Sequence, residues 1–479
     1  MSEMAWKTTI VVAGGFLLIA FVLLARPGYL TNPGMLGSMI VAEVVLAALC
    51  RYSDVFFPIL ILSFLFAGTG VPFEPAFLQA RWYVLCVGAV AGLAVYMKNR
   101  NHYFSTFHLV AVFCLLSALV SALVSAYPEE AILKAMSLAL LFAYGASGAR
   151  LTVPALNPVK FFRGLLAGCE VLIYLTALSY FVFHWEIYGS VNSLGAVMGV
   201  AAIPITLWGF LAATTVTEQR RRAFGLLVAM LLLMSSFSRA SIGAAAVGCV
   251  AICIALRQYR TVIKGIAVAI VFAMVSVMIV PVSIEAPKWN GSDSVASMFL
   301  YKGKGEGGVL ASRQGPWDQT WTVIKDHPWF GSGFGTSLTG DDLTQVETRF
   351  QGVHVDTRVI REHGNSYLAI AEWVGLMGVV PFYALVALTL LNVRRALTRI
   401  RHTGDVCSPV VPLATVLLAG MVHAAFEDWM FAVGNYICVF FWALAFILVD
   451  VLHAPAQVYS AEVTVPISEP HWLATASGQ

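Results

Sequence analysis

The chain has 479 residues, of which 59% are hydrophobic and only 11% charged, with a formal net charge of +3. That balance describes a polytopic membrane protein and excludes an ordinary soluble enzyme, because no stretch of normal domain size is polar enough to fold in water. It also lacks the basic excess of a nucleic-acid-binding domain.

Apolar runs long enough to cross a bilayer, about 17 to 25 residues each, predict helices near 8–25, 35–50, 55–71, 82–97, 107–125, 131–148, 164–183, 193–215, 223–237, 241–256, 263–283, 366–391, 410–426 and 432–451. The expected fold is all-α and polytopic, with about 12–14 transmembrane helices and one large extracytoplasmic loop that contains short helices. The first run follows Lys7 and precedes no small-residue cleavage site, so it reads as a retained helix rather than a signal peptide. Four segments are expected: 1–284 as N-terminal transmembrane helices, 285–363 as the large loop, 364–452 as C-terminal transmembrane helices, and 453–479 as a short polar cytoplasmic tail without fixed structure.

Orientation follows from the basic residues of the short connections. Lys7, Arg51, Lys98, Arg100, Arg150, Lys160, Arg163, Arg220 to Arg222, Arg257, Arg260, Lys264, Arg394, Arg395, Arg399 and Arg401 fall on alternate connections. The opposite connections carry only Arg26, Arg81 and Arg239. The positive-inside rule then places both termini in the cytoplasm and the 285–363 loop outside.

Between Arg222 and Arg257 the chain must cross out and back in two arms of about 16 residues, roughly 24 Å each at helical rise. A bilayer core is about 30 Å thick. The turn Ser235-Ser236-Phe237-Ser238-Arg239-Ala240-Ser241 is therefore expected to sit below the outer surface, with Arg239 facing a cavity. A charge at that depth is a functional candidate; the alternative is an arginine that snorkels to the head groups.

The eight cysteines all lie outside the long loop, which argues against a disulfide framework or a cysteine zinc site. Within the loop, Lys302 to Gly308 is glycine-rich and flexible. Ser312 is positioned to cap a helix over Arg313 to Asp326, whose Trp317, Trp321 and Ile324 recur at helical spacing as an interfacial or packing stripe. Pro328 ends that helix, and Gly331-Ser332-Gly333-Phe334-Gly335 forms a tight turn. Those glycines follow no strand and are not a dinucleotide fingerprint. The chain re-enters the membrane at Ser366.

Three separated pieces carry a resemblance. They are Phe237-Ser238-Arg239-Ala240; Ser312-Arg313 through Trp317 to His327-Pro328-Trp329-Phe330-Gly331-Ser332-Gly333-Phe334-Gly335; and His363-Gly364-Asn365-Ser366-Tyr367-Leu368 running into Glu372-Trp373-Val374-Gly375-Leu376-Met377-Gly378. In this order the chain resembles the O-antigen ligase and polysaccharide polymerase family, bacterial membrane glycosyltransferases of GT-C-like architecture. Gly189-Ser190-Val191-Asn192 is similar to the family's asparagine-containing turn. In many members the histidine directly precedes asparagine, whereas Gly364 intervenes here; Glu362 and His354 are the other candidates for that histidine's place.

The resemblance implies transfer of a glycan from undecaprenyl diphosphate to a hydroxyl acceptor, either a growing glycan or lipid A core, with no metal and no cofactor. Exopolysaccharide, O-antigen and lipopolysaccharide biosynthesis are the implied settings, with chain-length regulators and export proteins as partners beside membrane lipids. Arginines suit the leaving diphosphate because they stay charged and bind its oxygens in a bidentate way. Arg239 and Arg313 are the candidates, with binding of lipid phosphates as the alternative for Arg313. His363 is the candidate base for the acceptor hydroxyl, or simply a polar residue at a helix start. Asn192, Arg358, Arg361, Glu362, Asn365, Tyr367 and Glu372 are the candidate substrate-binding residues. Asn365 and Ser366 can also serve as caps, and Glu372 needs a buried partner, with the arginines as candidates. Glu427-Asp428-Trp429 is placed to line the same cavity. Glu43, Lys134 and Glu170, within spans, read as pairing between helices.

A repeat-unit polymerase is the first reading and a ligase the second. A flippase or secondary transporter for lipid-linked oligosaccharide is the alternative of another class. It would show ionisable or helix-breaking residues in two corresponding halves, and no internal repeat is evident.

Overall fold

A computed structural model describes residues 56–69, 74–98, 104–148, 158–279, 311–337, 349–350, 353–354 and 362–453, together with Gly37 and Met39. The first expected helix, all of the second but Gly37 and Met39, Glu43 and the C-terminal tail lie outside the described residues. The helices are α1 (Phe56–Phe66), α2 (Glu74–Lys98), α3 (Thr106–Leu123), α4 (Pro128–Ala143), α5 (Pro158–Phe181), α6 (Val191–Leu211), α7 (Val216–Ser235), α8 (Arg239–Ala255), α9 (Tyr259–Ile279), α10 (Ala311–Asp326), α11 (Ser366–Thr403), α12 (Val410–Ala424) and α13 (Tyr436–His453). In the loop, Arg349–Phe350 pairs antiparallel with Val353–His354, and this two-residue ladder is minor beside the helices. The protein is an all-α polytopic membrane protein: seven of the described helices are long and apolar enough to cross a bilayer, and α1, α8, α12 and part of α2 form shorter apolar helices.

Burial sorts these helices. α12 is apolar on every face and almost wholly buried, which is how a helix at the centre of a bundle reads. α13 is similar, and its Trp442 indole donates to the Met430 carbonyl at 2.6 Å. α9 presents Ile263, Ile266, Ile270, Val271 and Met274 outward, as a helix against lipid does. α8 runs along α12, and α3 runs along α11.

Two close approaches set the position of the site. α6 contains a π-helical stretch at Val197–Ala202, and its glycines admit the serine turn between α7 and α8. A Cβ on Gly195 would lie 2.6 Å from the Ser238 Cβ, and one on Gly199 would lie 2.5 Å from the Ser241 carbonyl oxygen. At the opposite end of the bundle, Glu170 of α5 pairs with Arg222 of α7 at 2.7 Å, close enough for charge pairing though not aligned as a hydrogen bond. Glu170 thus pairs two helices, whereas Lys134 donates to the Gly335 carbonyl in the loop rather than to another helix.

Helix boundaries differ from expectation where charge interrupts an apolar run. α7 begins at Val216, seven residues before the expected start, because the Thr215 side chain caps it by accepting from the Glu218 amide. α10 begins at Ala311, so Ser312 lies inside the helix and is not its cap.

Candidate functional site

The site is built on a break in α11. Gly375 has φ +62° and ψ −174°, a conformation essentially confined to glycine, and it divides the helix into a short arm from Ser366 and a long arm ending at Thr403. Breaking a membrane helix frees backbone groups that must find partners within the protein. The stretch after α10 supplies them. The amides of Ser332 and Gly333 donate to the carbonyls of Glu372 and Trp373 at 2.9 and 3.1 Å. The amides of Leu376 and Met377 donate to the carbonyls of Pro328 and Trp329 at 2.7 and 3.1 Å. This backbone approach is so close that a Cβ on Gly331 would lie 2.4 Å from the Glu372 carbonyl oxygen. Ser121 of α3 adds a hydrogen bond to the Trp373 carbonyl at 2.6 Å.

The short arm carries the first group of side chains. Asn365 is its N-cap, with Oδ1 accepting from the amides of Tyr367 and Leu368. Ser366 Oγ donates to the Glu427 carbonyl at 2.6 Å and accepts from the Met430 amide at 3.0 Å, so the connection between α12 and α13 is tied to the first turn of α11. The Tyr367 hydroxyl donates to the Met421 carbonyl at 2.8 Å.

His363 precedes the cap and is 1% exposed. Its Nε2 lies 3.2 Å from Oε1 of Glu372, which is fully buried, and 3.0 Å from the Ser337 hydroxyl. Its Nδ1 lies 3.2 Å from Oδ2 of Asp428, and the same oxygen accepts from the His363 amide at 2.8 Å. The Trp373 ring meets the imidazole edge-on at 5.5 Å. Burial alone lowers the His363 pKa, but the hydrogen bonds and charges of Asp428 and Glu372 outweigh it and raise the value above its ordinary 6.5. Burial pushes Asp428 the other way, and its bonds to His363 hold it below 3.8. Both ring nitrogens therefore face carboxylates, as an imidazolium requires. Glu372, for which the arginines were the expected partners, pairs with His363.

Arg313 reaches in from the first turn of α10. Its guanidinium bonds Glu362 at 2.7 Å and also bonds Glu427. Gly364, with φ +61°, leaves room for it: a Cβ there would meet Arg313 Cδ and Nη1 at 3.0 Å. The Trp317 indole donates to the Gly364 carbonyl at 3.3 Å, which anchors α10 to the same residue. Burial raises the Glu427 carboxyl to about 7, against the lowering by Arg313, with Glu362 and Asp428 adding to the rise.

Arg239 starts α8 and is half-buried, within electrostatic reach of Arg313. The serine turn before it is buried and held by a relay. The Trp429 indole, which can only donate, bonds Nδ1 of His423 at 2.8 Å. Nε2 of His423 then carries the proton and donates to Ser241 Oγ at 3.0 Å, and Ser241 meets Ser238 at 2.8 Å. Trp429 adjoins Asp428, so one connection fixes both the histidine pocket and the turn bearing Arg239.

Of the sequence candidates, His363, Arg313, Glu362, Asn365, Tyr367 and Glu372 gather around the start of α11, with Arg239 beside Arg313. Asn192 sits in the first turn of α6, one turn before the Gly195 that packs on Ser238. Arg358 and Arg361 lie outside the described residues. Sequence reasoning gave no specific role to Glu427 and Asp428, and it missed Ser337 and His423. An acidic pair between two apolar helices was the available signal for the first two; nothing local marks the others.

No curated protein matches the chain. Residues 223–383, from early α7 through the long loop to the middle of α11, match the family described as O-antigen ligase. That span, about a third of the chain, contains the serine turn, Arg239, Arg313, His363 and the break in α11, so this part of the chain is similar to the O-antigen ligase family.

Proposed function

We propose that the protein transfers glycan from a polyprenyl-diphosphate carrier to a hydroxyl acceptor at the outer face of the bacterial cytoplasmic membrane. In this reading it joins repeat units of an exopolysaccharide or O-antigen. The carrying observation is the approach of two arginines from separate elements, Arg239 of α8 and Arg313 of α10, beside a cluster of carboxylates around one buried histidine. Two guanidinium charges brought within reach of each other favour an anion between them, and a leaving diphosphate is such an anion. Acid–base groups stand next to it, where the attacking hydroxyl must lose its proton. The second reading, ligation of a finished chain to lipid A core, is favoured by the matched family's description.

Glycan analysis of a deletion strain separates the readings by resolving lipid A core, secreted polymer and the carrier-linked pool. A polymerase leaves single repeat units on the carrier and no polymer. A ligase leaves full-length chains on the carrier beside unmodified core. Unchanged pools would refute transfer and return the transporter reading.

A further inference from the structure

The residue that deprotonates the acceptor needs a lone pair that a bound hydroxyl can reach. His363 offers none in this structure: it is 1% exposed, and a carboxylate stands within 3.2 Å of each ring nitrogen. Asp428 is 27% exposed, but one of its oxygens serves both the ring and the amide of His363, and those bonds hold its carboxyl below 3.8, which makes it a poor proton acceptor. Glu372 is fully buried behind the ring.

Glu427 differs from all three. Its carboxylate pairs with Arg313 and not with His363, its side chain is 20% exposed, and its backbone is fixed by Ser366. Arg313 is also the arginine that a diphosphate would engage, and its other carboxylate, Glu362, is 66% exposed.

We infer that Glu427 is the general base of the transfer, with Arg313 as its exchangeable counter-ion. This rests on the transferase reading above. Donor diphosphate takes the Arg313 guanidinium, and Glu427 is left with a free carboxylate beside the bound glycan. The acceptor O–H proton passes to a Glu427 carboxylate oxygen while the acceptor oxygen bonds to the anomeric carbon. The bond from that carbon to the diphosphate oxygen breaks, its electron pair stays on the diphosphate, and Arg239 and Arg313 hold the charge. Departure of the carrier returns Arg313 to Glu427, which releases its proton to solvent. His363 is a positioning residue that fixes Asp428, and through it the adjoining Glu427. The carboxyl pushed up to about 7 by burial fits a group that must accept a proton near neutral pH.

The test uses the full chain in lipid nanodiscs, with lipid-linked oligosaccharide extracted from the producing cell as donor and the cell's own glycan as acceptor. Glu427→Gln keeps the shape and a hydrogen bond to Arg313. It is expected to lower kcat by about 10²- to 10⁴-fold, the usual worth of a positioned base, and to erase the acid limb of the pH profile, while binding of polyprenyl diphosphate does not weaken. Glu427→Ala is expected to recover turnover with added formate, which a merely structural role would not allow. His363→Gln is expected to lower kcat but keep the acid limb. Glu427→Gln with more than about a tenth of wild-type kcat and an intact limb would overturn the assignment. So would formate that fails to rescue Glu427→Ala while that variant still binds polyprenyl diphosphate. Wild-type protein that moves no glycan from this donor refutes the transferase reading itself, a different failure from either.

Discussion

Gly375 and His363 each hold a conformation or charge state that other residues would not tolerate. Alanine at Gly375 would put a Cβ 2.5 Å from the Trp329 carbonyl in a backbone region that costs non-glycine residues about 1–3 kcal/mol before any clash. Gly375→Ala is expected to lower the thermal midpoint in detergent and abolish transfer. Gly243→Ala, where a Cβ meets nothing within 4 Å, is expected to do neither. Equal effects of the two would mean that the break is not required. For His363 the sign runs with its raised pKa. Its contribution to stability is complete below the ordinary 6.5 and is lost as pH climbs through the folded-state value, whereas Asp428, held below 3.8, loses its contribution only in acid. The wild-type midpoint should therefore fall on the alkaline side of neutrality, and His363→Gln should lack that slope. An unchanged slope in the variant would exclude a buried imidazolium.

Among the elements, α11 shows what the sequence could and could not disclose. Its start at Ser366 was legible because Asn365 and Ser366 are capping residues in front of a long apolar run. Its break was not, since a glycine inside an apolar run reads as a tolerated small residue, and the backbone groups that satisfy the break lie some 40 residues upstream. The three motif pieces could be recognised as a set, but their physical reason, two glycine-bearing segments exchanging backbone hydrogen bonds, appears only in three dimensions. α7 was read short because Arg220 to Arg222 look like a connection; in the fold Arg222 is buried against Glu170 at the end of a continuous helix. The cap of α11 can be tested on its own. Asn365→Ala removes the acceptor for two amides and should weaken the first turn by about 1 kcal/mol. Faster amide exchange confined to residues 366–370, with α12 unchanged, is the expected readout, and protection equal to wild type would show that the Ser366 bonds hold the turn without the cap.

Across the whole molecule, chemistry and basic charge lie at opposite ends. The starts of α6, α8 and α11 and the connection after α12 gather Asn192, Arg239, His363 and Glu427. The other end gathers Arg163, Arg222 and Cys407 around one cavity, with Arg394, Arg395, Arg399 and Arg401 at the far end of α11. The long arm of α11, from the break at Gly375 to Thr403, rises about 42 Å at helical geometry, more than a bilayer core of about 30 Å, so the break beside the site and the basic end cannot share one membrane face. On the positive-inside rule we propose that the basic end faces the cytoplasm and the site the outside, where donor delivered across the membrane would be met. Cys407 is an exposed thiol at the basic end, and Gln314 is an exposed position beside Arg313. In variants that keep Cys407 alone or carry Gln314→Cys alone, a membrane-impermeant maleimide should label the second in intact cells. It should label the first only after the membrane is opened. The reverse pattern would put the arginines and Glu427 in the cytoplasm. The reading of transfer at the outer face would then fail, even with every contact in the site unchanged.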